Sequence, residues 1–60
     1  MDLASIVQQA RALLDAHGDK AEAEAAQKAV EAKNAGQTEI AEQWRKVRDA
    51  IGQLRSGHVS

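Results

Sequence analysis

The chain has 60 residues, eight basic and nine acidic, with a net charge of −1 at pH 7. This length fits one domain, residues 1–60, with a small core that needs a supplement, and the absence of cysteine excludes disulfides and thiolate zinc sites. The near-neutral charge argues against a nucleic-acid-binding protein. Self-association remains as the supplement to the core, and we expect an oligomer, most simply a homodimer.

The sequence also bears on where the protein works. No apolar run approaches the roughly 20 residues that cross a membrane, and the N-terminus lacks a basic segment followed by an apolar core. We therefore expect a cytoplasmic protein without a membrane segment.

The first predicted helix covers about residues 2–17. Its apolar stripe repeats at steps of three and four residues and spans roughly a third of the helix circumference. The stripe consists of Leu3, Ile6, Val7, Ala10, Leu13, Leu14 and His17. Asp2 can cap the start of this helix, and Gly18 is a natural left-handed stop. We interpret His17 as a packing residue in the last turn, where its ring can interact with the helix dipole.

The second predicted helix covers about residues 19–35 and is rich in alanine. Asp19 and Glu22 have capping-box spacing, and Gly36 ends the helix. One flank consists of Ala21, Ala25, Ala29 and Ala32, the other of Ala23, Ala26 and Val30, and the opposite side of Lys20, Glu24 and Lys28. Because alanine lets neighbouring helices approach closely, we expect this helix to lie between two bulkier helices.

The third predicted helix covers about residues 38–55, with Ser56 and Gly57 as its stop. It carries a coiled-coil-like seam with steps of four and three residues. The seam consists of Ile40, Trp44, Val47, Ile51 and Leu54. Trp44 is the only aromatic residue, and its place in the seam favours a core role over a docking role. Any apolar seam surface that the alanine-rich second helix cannot cover would be buried by a second copy of the chain or by a partner.

A second stripe on this helix is displaced by one residue from the seam. It consists of Ala41, Arg45, Arg48, Gly52 and Arg55. One interpretation is a solvated rim whose arginine stems cover apolar surface. The other is an edge that binds carboxylates or phosphates, because guanidinium groups favour bidentate acceptors. Gly52 costs the helix about 1 kcal/mol relative to alanine, which suggests a close backbone approach there.

Catalytic and metal-binding patterns are missing from the sequence. Neither His17 nor His58 has a triad-like or ligand-spaced neighbourhood, and no glycine-rich phosphate loop follows a strand. We therefore expect a protein that is not an enzyme and that uses no metal and no cofactor.

Three features of the sequence resemble a group of short bacterial helical proteins of unknown function. They are the run His17-Gly18-Asp19, the alanine ladder that ends at Ala35-Gly36, and the spacing Trp44-x-x-Val47-x-x-Ala50-Ile51-x-x-Leu54. The resemblance covers residues 13–54 and implies no activity. A weaker similarity is to one tetratricopeptide hairpin, through Ala29, Gly36 and Ala41, but the sequence has no second repeat and no closing proline.

Together these patterns predict an all-α fold of three helices joined by short glycine-containing turns, packed as a small antiparallel bundle. The predicted function is a non-catalytic protein-interaction module, an adaptor, inhibitor or accessory subunit that presents its third helix. Its candidate partner-binding residues are Trp44, Arg45, Arg48 and Arg55. The alternative is a nucleic-acid-associated protein that uses Arg45, Lys46 and Arg48. Acidic residues on the outward face of the same helix, Glu42 and Asp49, argue against this alternative.

Overall fold

The computed structural model describes residues 3–56, and 94% of these residues are helical, with no strand among them. The helices are α1 (Leu3–His17), α2 (Ala21–Asn34) and α3 (Thr38–Ser56). The predicted all-α class is confirmed, and the predicted bounds agree within two residues. The proposed cap at Asp2, the stop at Gly57 and the side chain of Leu3 lie outside the described part.

The joint between α1 and α2 is a 3₁₀ turn, Gly18–Lys20, with no non-helical residue before or after it. If the 3₁₀ turn is counted as helix, the described chain has two continuous helical segments, residues 3–34 and α3. Gly18 has a φ of 58°, the left-handed stop that the sequence predicts. The predicted capping box was wrong, because α2 begins after Lys20 without a side-chain cap.

The joint between α2 and α3 is a Schellman turn. The Gln37 N–H donates to the Ala32 carbonyl at 2.8 Å, and the Gly36 N–H donates to the Lys33 carbonyl at 3.0 Å. Gly36 has a φ of 78°, which explains why glycine occupies this position. The Gln37 carbonyl then accepts the Ala41 N–H, so the chain enters α3 without an intervening loop.

The three helices form an up-down-up bundle. The start of α2 lies beside the end of α3, where Glu22 reaches Arg55, so these helices run antiparallel. In contrast, α1 runs parallel to α3, because Ile6 borders a cleft with Gln43 and Leu14 borders one with Leu54. Helix α3 is central, since α2 and α1 both pack more extensively on α3 than on each other, so the expectation that α2 lies between two bulkier helices was wrong.

The buried core uses one stripe from each helix. It contains Ile6, Ala10, Ala21, Ala25, Ala29, Ala32, Ala41, Val47 and Ile51. Further apolar side chains, Leu13, Leu14, Trp44, Ala50 and Leu54, pack against it and are partly buried. The large fully buried side chains are Val47 and Ile51 of the predicted seam. The seam is thus largely covered within one chain.

Three details of the sequence-based packing were wrong. Ile40 is 42% exposed, whereas its neighbour Ala41 is buried. Helix α2 buries one flank only, and Val30 on its other flank is 56% exposed. His17 is exposed instead of packed, and its Nδ1 lies 3.3 Å from a carboxylate oxygen of Glu24.

Candidate protein-interaction surface

The C-terminal half of the arginine stripe is engaged within the chain. Arg55 Nη1 donates to Glu22 Oε1 at 3.2 Å, and Arg55 Nη2 lies 3.6 Å from Asp19 Oδ1. A Cβ on Gly52 would lie 3.2 Å from Glu22 Oε2, so the missing side chain leaves room for this carboxylate. The close approach suspected at Gly52 therefore exists, although a side chain makes it and not the backbone. We call these four residues the paired end.

The N-terminal half of the stripe is different. Arg48 makes a single long contact, 3.5 Å from Nη2 to Oδ1 of its neighbour Asp49, and its side chain is 43% exposed. Arg45 is exposed and makes no ion pair or hydrogen bond with any residue in the range 3–56. Two guanidinium groups one helical turn apart thus remain available to another molecule.

Helix α2 continues this surface beside Arg45 and Arg48. Glu22 and Ala26 are one turn apart, and Val30 follows one turn later. Because Glu22 lies beside Gly52 and the helices are antiparallel, the same register places Ala26 near Arg48 and Val30 near Arg45. Lys33 adds an exposed cation three residues after Val30. We call this surface the open face, and it consists of Ala26, Val30, Lys33, Arg45 and Arg48.

Trp44 occupies a position between core and surface. It is partly buried and packs against the core cluster, as the packing interpretation predicts, and part of the indole remains exposed. It is followed directly by Arg45 on the same helix. The packing of Trp44 against the core therefore fixes the part of α3 that carries Arg45 and Arg48.

Lys46 does not lie on the open face. It borders two clefts with residues of α1, one of 160 Å³ that also includes Ile6 and one of 240 Å³ that also includes Val7. Glu39 and Glu42 line the first of these clefts. The predicted basic cluster is thus divided, with Lys46 on the α1 side of α3 and Arg48 on the α2 side.

The remaining polar groups offer little for metal chemistry. In the part of the chain that the structure describes, no three histidine or acidic side chains are grouped so that they could hold a metal ion. His17 Nδ1 lies 3.3 Å from a carboxylate oxygen of Glu24, and His58 lies outside the described residues. No helix within residues 3–56 is long and apolar enough to cross a membrane.

Comparison with known proteins found no match for the chain among family models, curated proteins or solved structures. The resemblance to short bacterial helical proteins therefore stays a prediction.

Of the four predicted site residues, the structure brings Arg45 and Arg48 together on an accessible face. It assigns Arg55 to an internal contact and Trp44 to partial burial. Sequence reasoning missed Val30 as a surface residue, and it missed both carboxylates that pair with Arg55. The spacing of Val30 from the buried alanines was a usable signal. The pairing of Glu22 with Arg55, 33 positions apart, had no usable signal in the sequence, because it depends on how α2 and α3 align.

Proposed function

We propose that the chain is a non-catalytic protein-interaction module that binds its partner through the open face. The observation that carries this proposal is the pair of arginines left without a strong internal partner beside an exposed valine. Exposed Val30 offers apolar area that is desolvated on binding, and the guanidinium groups offer directed hydrogen bonds. A central apolar contact with arginines around it is a common composition for a protein interface.

The open face also revises which residues we assign to binding. Arg45 and Arg48 are the binding residues, and Val30 joins them. Arg55 is assigned to holding α3 against the start of α2, because its guanidinium already contacts two carboxylates. Trp44 is assigned to supporting the helix beneath the arginines.

A second copy of the chain remains part of the proposal. The section of the predicted seam that one chain leaves open is Ile40 with the exposed part of Trp44. Because so small a core gives marginal stability, a homodimer that covers this section would stabilise the fold. Sedimentation equilibrium should then show an assembly, whereas a fully folded 6.4 kDa species at low micromolar concentration would contradict the homodimer.

The nucleic-acid alternative has less support, because Lys46 and Arg48 lie on different sides of α3. An electrophoretic shift with mixed DNA and RNA at low and high salt tests this alternative. A shift that disappears at high salt and depends on Arg45 would favour nucleic acid over a protein partner.

The experiment for the main proposal compares two double variants in affinity purification from the protein's own cells. Arg45→Ala with Arg48→Ala should lose the partner that the wild-type chain retains. Lys20→Ala in the 3₁₀ turn, with Lys28→Ala in α2, removes the same charge from the side of the bundle that carries Glu24, which contacts His17 of α1. This control should keep the partner, and equal retention by both double variants would overturn the assignment of the open face.

A further inference from the structure

The paired end shows which kind of chemical group binds to the arginine stripe, namely a carboxylate. At this end α2 supplies a carboxylate, Glu22, which lies against Gly52 and accepts a hydrogen bond from Arg55. One and two turns further along α2, the positions facing Arg48 and Arg45 hold Ala26 and Val30. The arginine stripe of α3 thus extends to Arg48 and Arg45, but α2 supplies no carboxylate opposite these two residues.

The open face therefore has an unmatched charge pattern. Arg45 and Lys33 make no ion pair within residues 3–56, and Arg48 has only its neighbour Asp49 at 3.5 Å. The surface between these cations is small and apolar, since Ala26 and Val30 contribute it. A complementary segment would carry carboxylates at its edges and a small apolar side chain between them.

Resting on the proposed function, we propose that the open face binds an acidic helix of a partner protein. Arg45 and Arg48 are three residues apart, so their side chains emerge about 5–6 Å apart. A helix with two glutamates one turn apart matches this spacing and can place an alanine-sized side chain against Val30. A helix fits better than an extended strand, because the described surface here consists of two helices and offers no sheet edge.

The test uses two synthetic probes of defined chemistry. One is an alanine-based helical peptide of about 16 residues, long enough to form a helix, with glutamates spaced four apart. The other is the same peptide with lysines in place of the glutamates. Binding to the full chain is measured by fluorescence anisotropy at about 0.15 M salt, where distant charges are screened.

Wild-type protein should bind the glutamate peptide and leave the lysine peptide unbound. Arg45→Glu with Arg48→Glu should weaken binding of the glutamate peptide by at least about tenfold. The matched control, Lys28→Glu with Lys46→Glu, changes net charge equally on the α1 side of the molecule and should change affinity less than about twofold. Circular dichroism on both variants verifies that helicity is retained.

Three results would overturn the acidic-helix proposal. They are a dissociation constant above about 1 mM for the glutamate peptide, equal binding of the two peptides, and equal weakening by both double variants. If the cellular partner depends on Arg45 and Arg48 but the glutamate peptide fails, the interaction module stands and only the chemistry of the partner is wrong. If the cellular partner does not depend on these arginines, the proposed function itself fails.

Discussion

The two ends of the contact between α2 and α3 use the same stripe of α3 in opposite ways. At the paired end, Arg55 is held by Glu22 and Asp19, and Gly52 leaves space for the carboxylate. At the other end, the register counted from the Glu22–Gly52 contact places Ala26 and Val30, and no acidic residue, beside Arg48 and Arg45. The difference shows that a regular arginine spacing does not define a binding site. What the neighbouring helix supplies decides which arginines are structural and which remain available.

The largest expected effect comes from removing the support beneath the open face. Trp44→Ala deletes a large side chain that packs against the core. Because Trp44 is only partly buried in the folded protein, the free energy of unfolding should fall by about 2–4 kcal/mol, somewhat less than the roughly 3–5 kcal/mol typical of a buried tryptophan. Urea unfolding followed by circular dichroism measures this loss.

The same variant distinguishes the two roles considered for Trp44. A domain of this size should lose much of its folded population with that destabilisation. If Trp44→Ala leaves folding unchanged and abolishes partner binding, the tryptophan is a docking residue and our assignment is reversed.

An intermediate effect is expected at the paired end. Arg55→Ala removes two ion pairs of a side chain that is 38% exposed, so the free energy of unfolding should fall by about 0.5–1 kcal/mol. Arg45→Ala is the matched control at the open face and should stay within about 0.5 kcal/mol of wild type. Urea midpoints at low and high salt measure both, and the Arg55 effect should shrink at high salt.

Equal changes in the two variants would contradict the comparison between the ends. They would mean that the contacts of Arg55 contribute nothing to folding, and Arg55 would then return to the set of candidate binding residues.

The smallest effect is expected for Gly52→Ala, and its sign is informative. Alanine raises helix propensity by about 1 kcal/mol, while its Cβ must displace the flexible end of Glu22 by a few tenths of an ångström. We expect the free energy of unfolding to rise by up to about 0.5 kcal/mol, because the weakened ion pair offsets part of the gain in helix propensity. Thermal or urea unfolding measures this change. In this background Arg55→Ala should cost less than in wild type, and an unchanged cost would show that Gly52 is not needed for the pairing.

The helices were predictable because their signals are local. Apolar spacing within each segment indicated all three helices, and Gly18 and Gly36 marked the joints where φ is positive. The capping box at Asp19 did not form: Lys20 holds the N-cap position, and the carboxylates of Asp19 and Glu22 lie beside Arg55. Their place beside Arg55 is a contact with the far end of the chain, which no local pattern contains.

The candidate site was only partly predictable for the same reason. The sequence placed Arg45, Arg48 and Arg55 on one stripe, and the structure agrees with that spacing. Separating Arg55 from the others required the register between α2 and α3. The exposure of Ile40 and Val30 likewise depends on which side of each helix its neighbours cover.

The separation of α1 and α3 along the chain has a consequence for the order in which the helices pack. Helices α2 and α3 are joined by a tight Schellman turn, so their contacts close short loops, whereas α1 reaches α3 only across the whole length of α2. Closing the longer loop costs more entropy, and contacts between distant residues generally form later. The α2–α3 hairpin that carries the open face should therefore assemble first, and α1 should dock afterwards on the side of Val47 and Leu54 that the hairpin alone leaves uncovered.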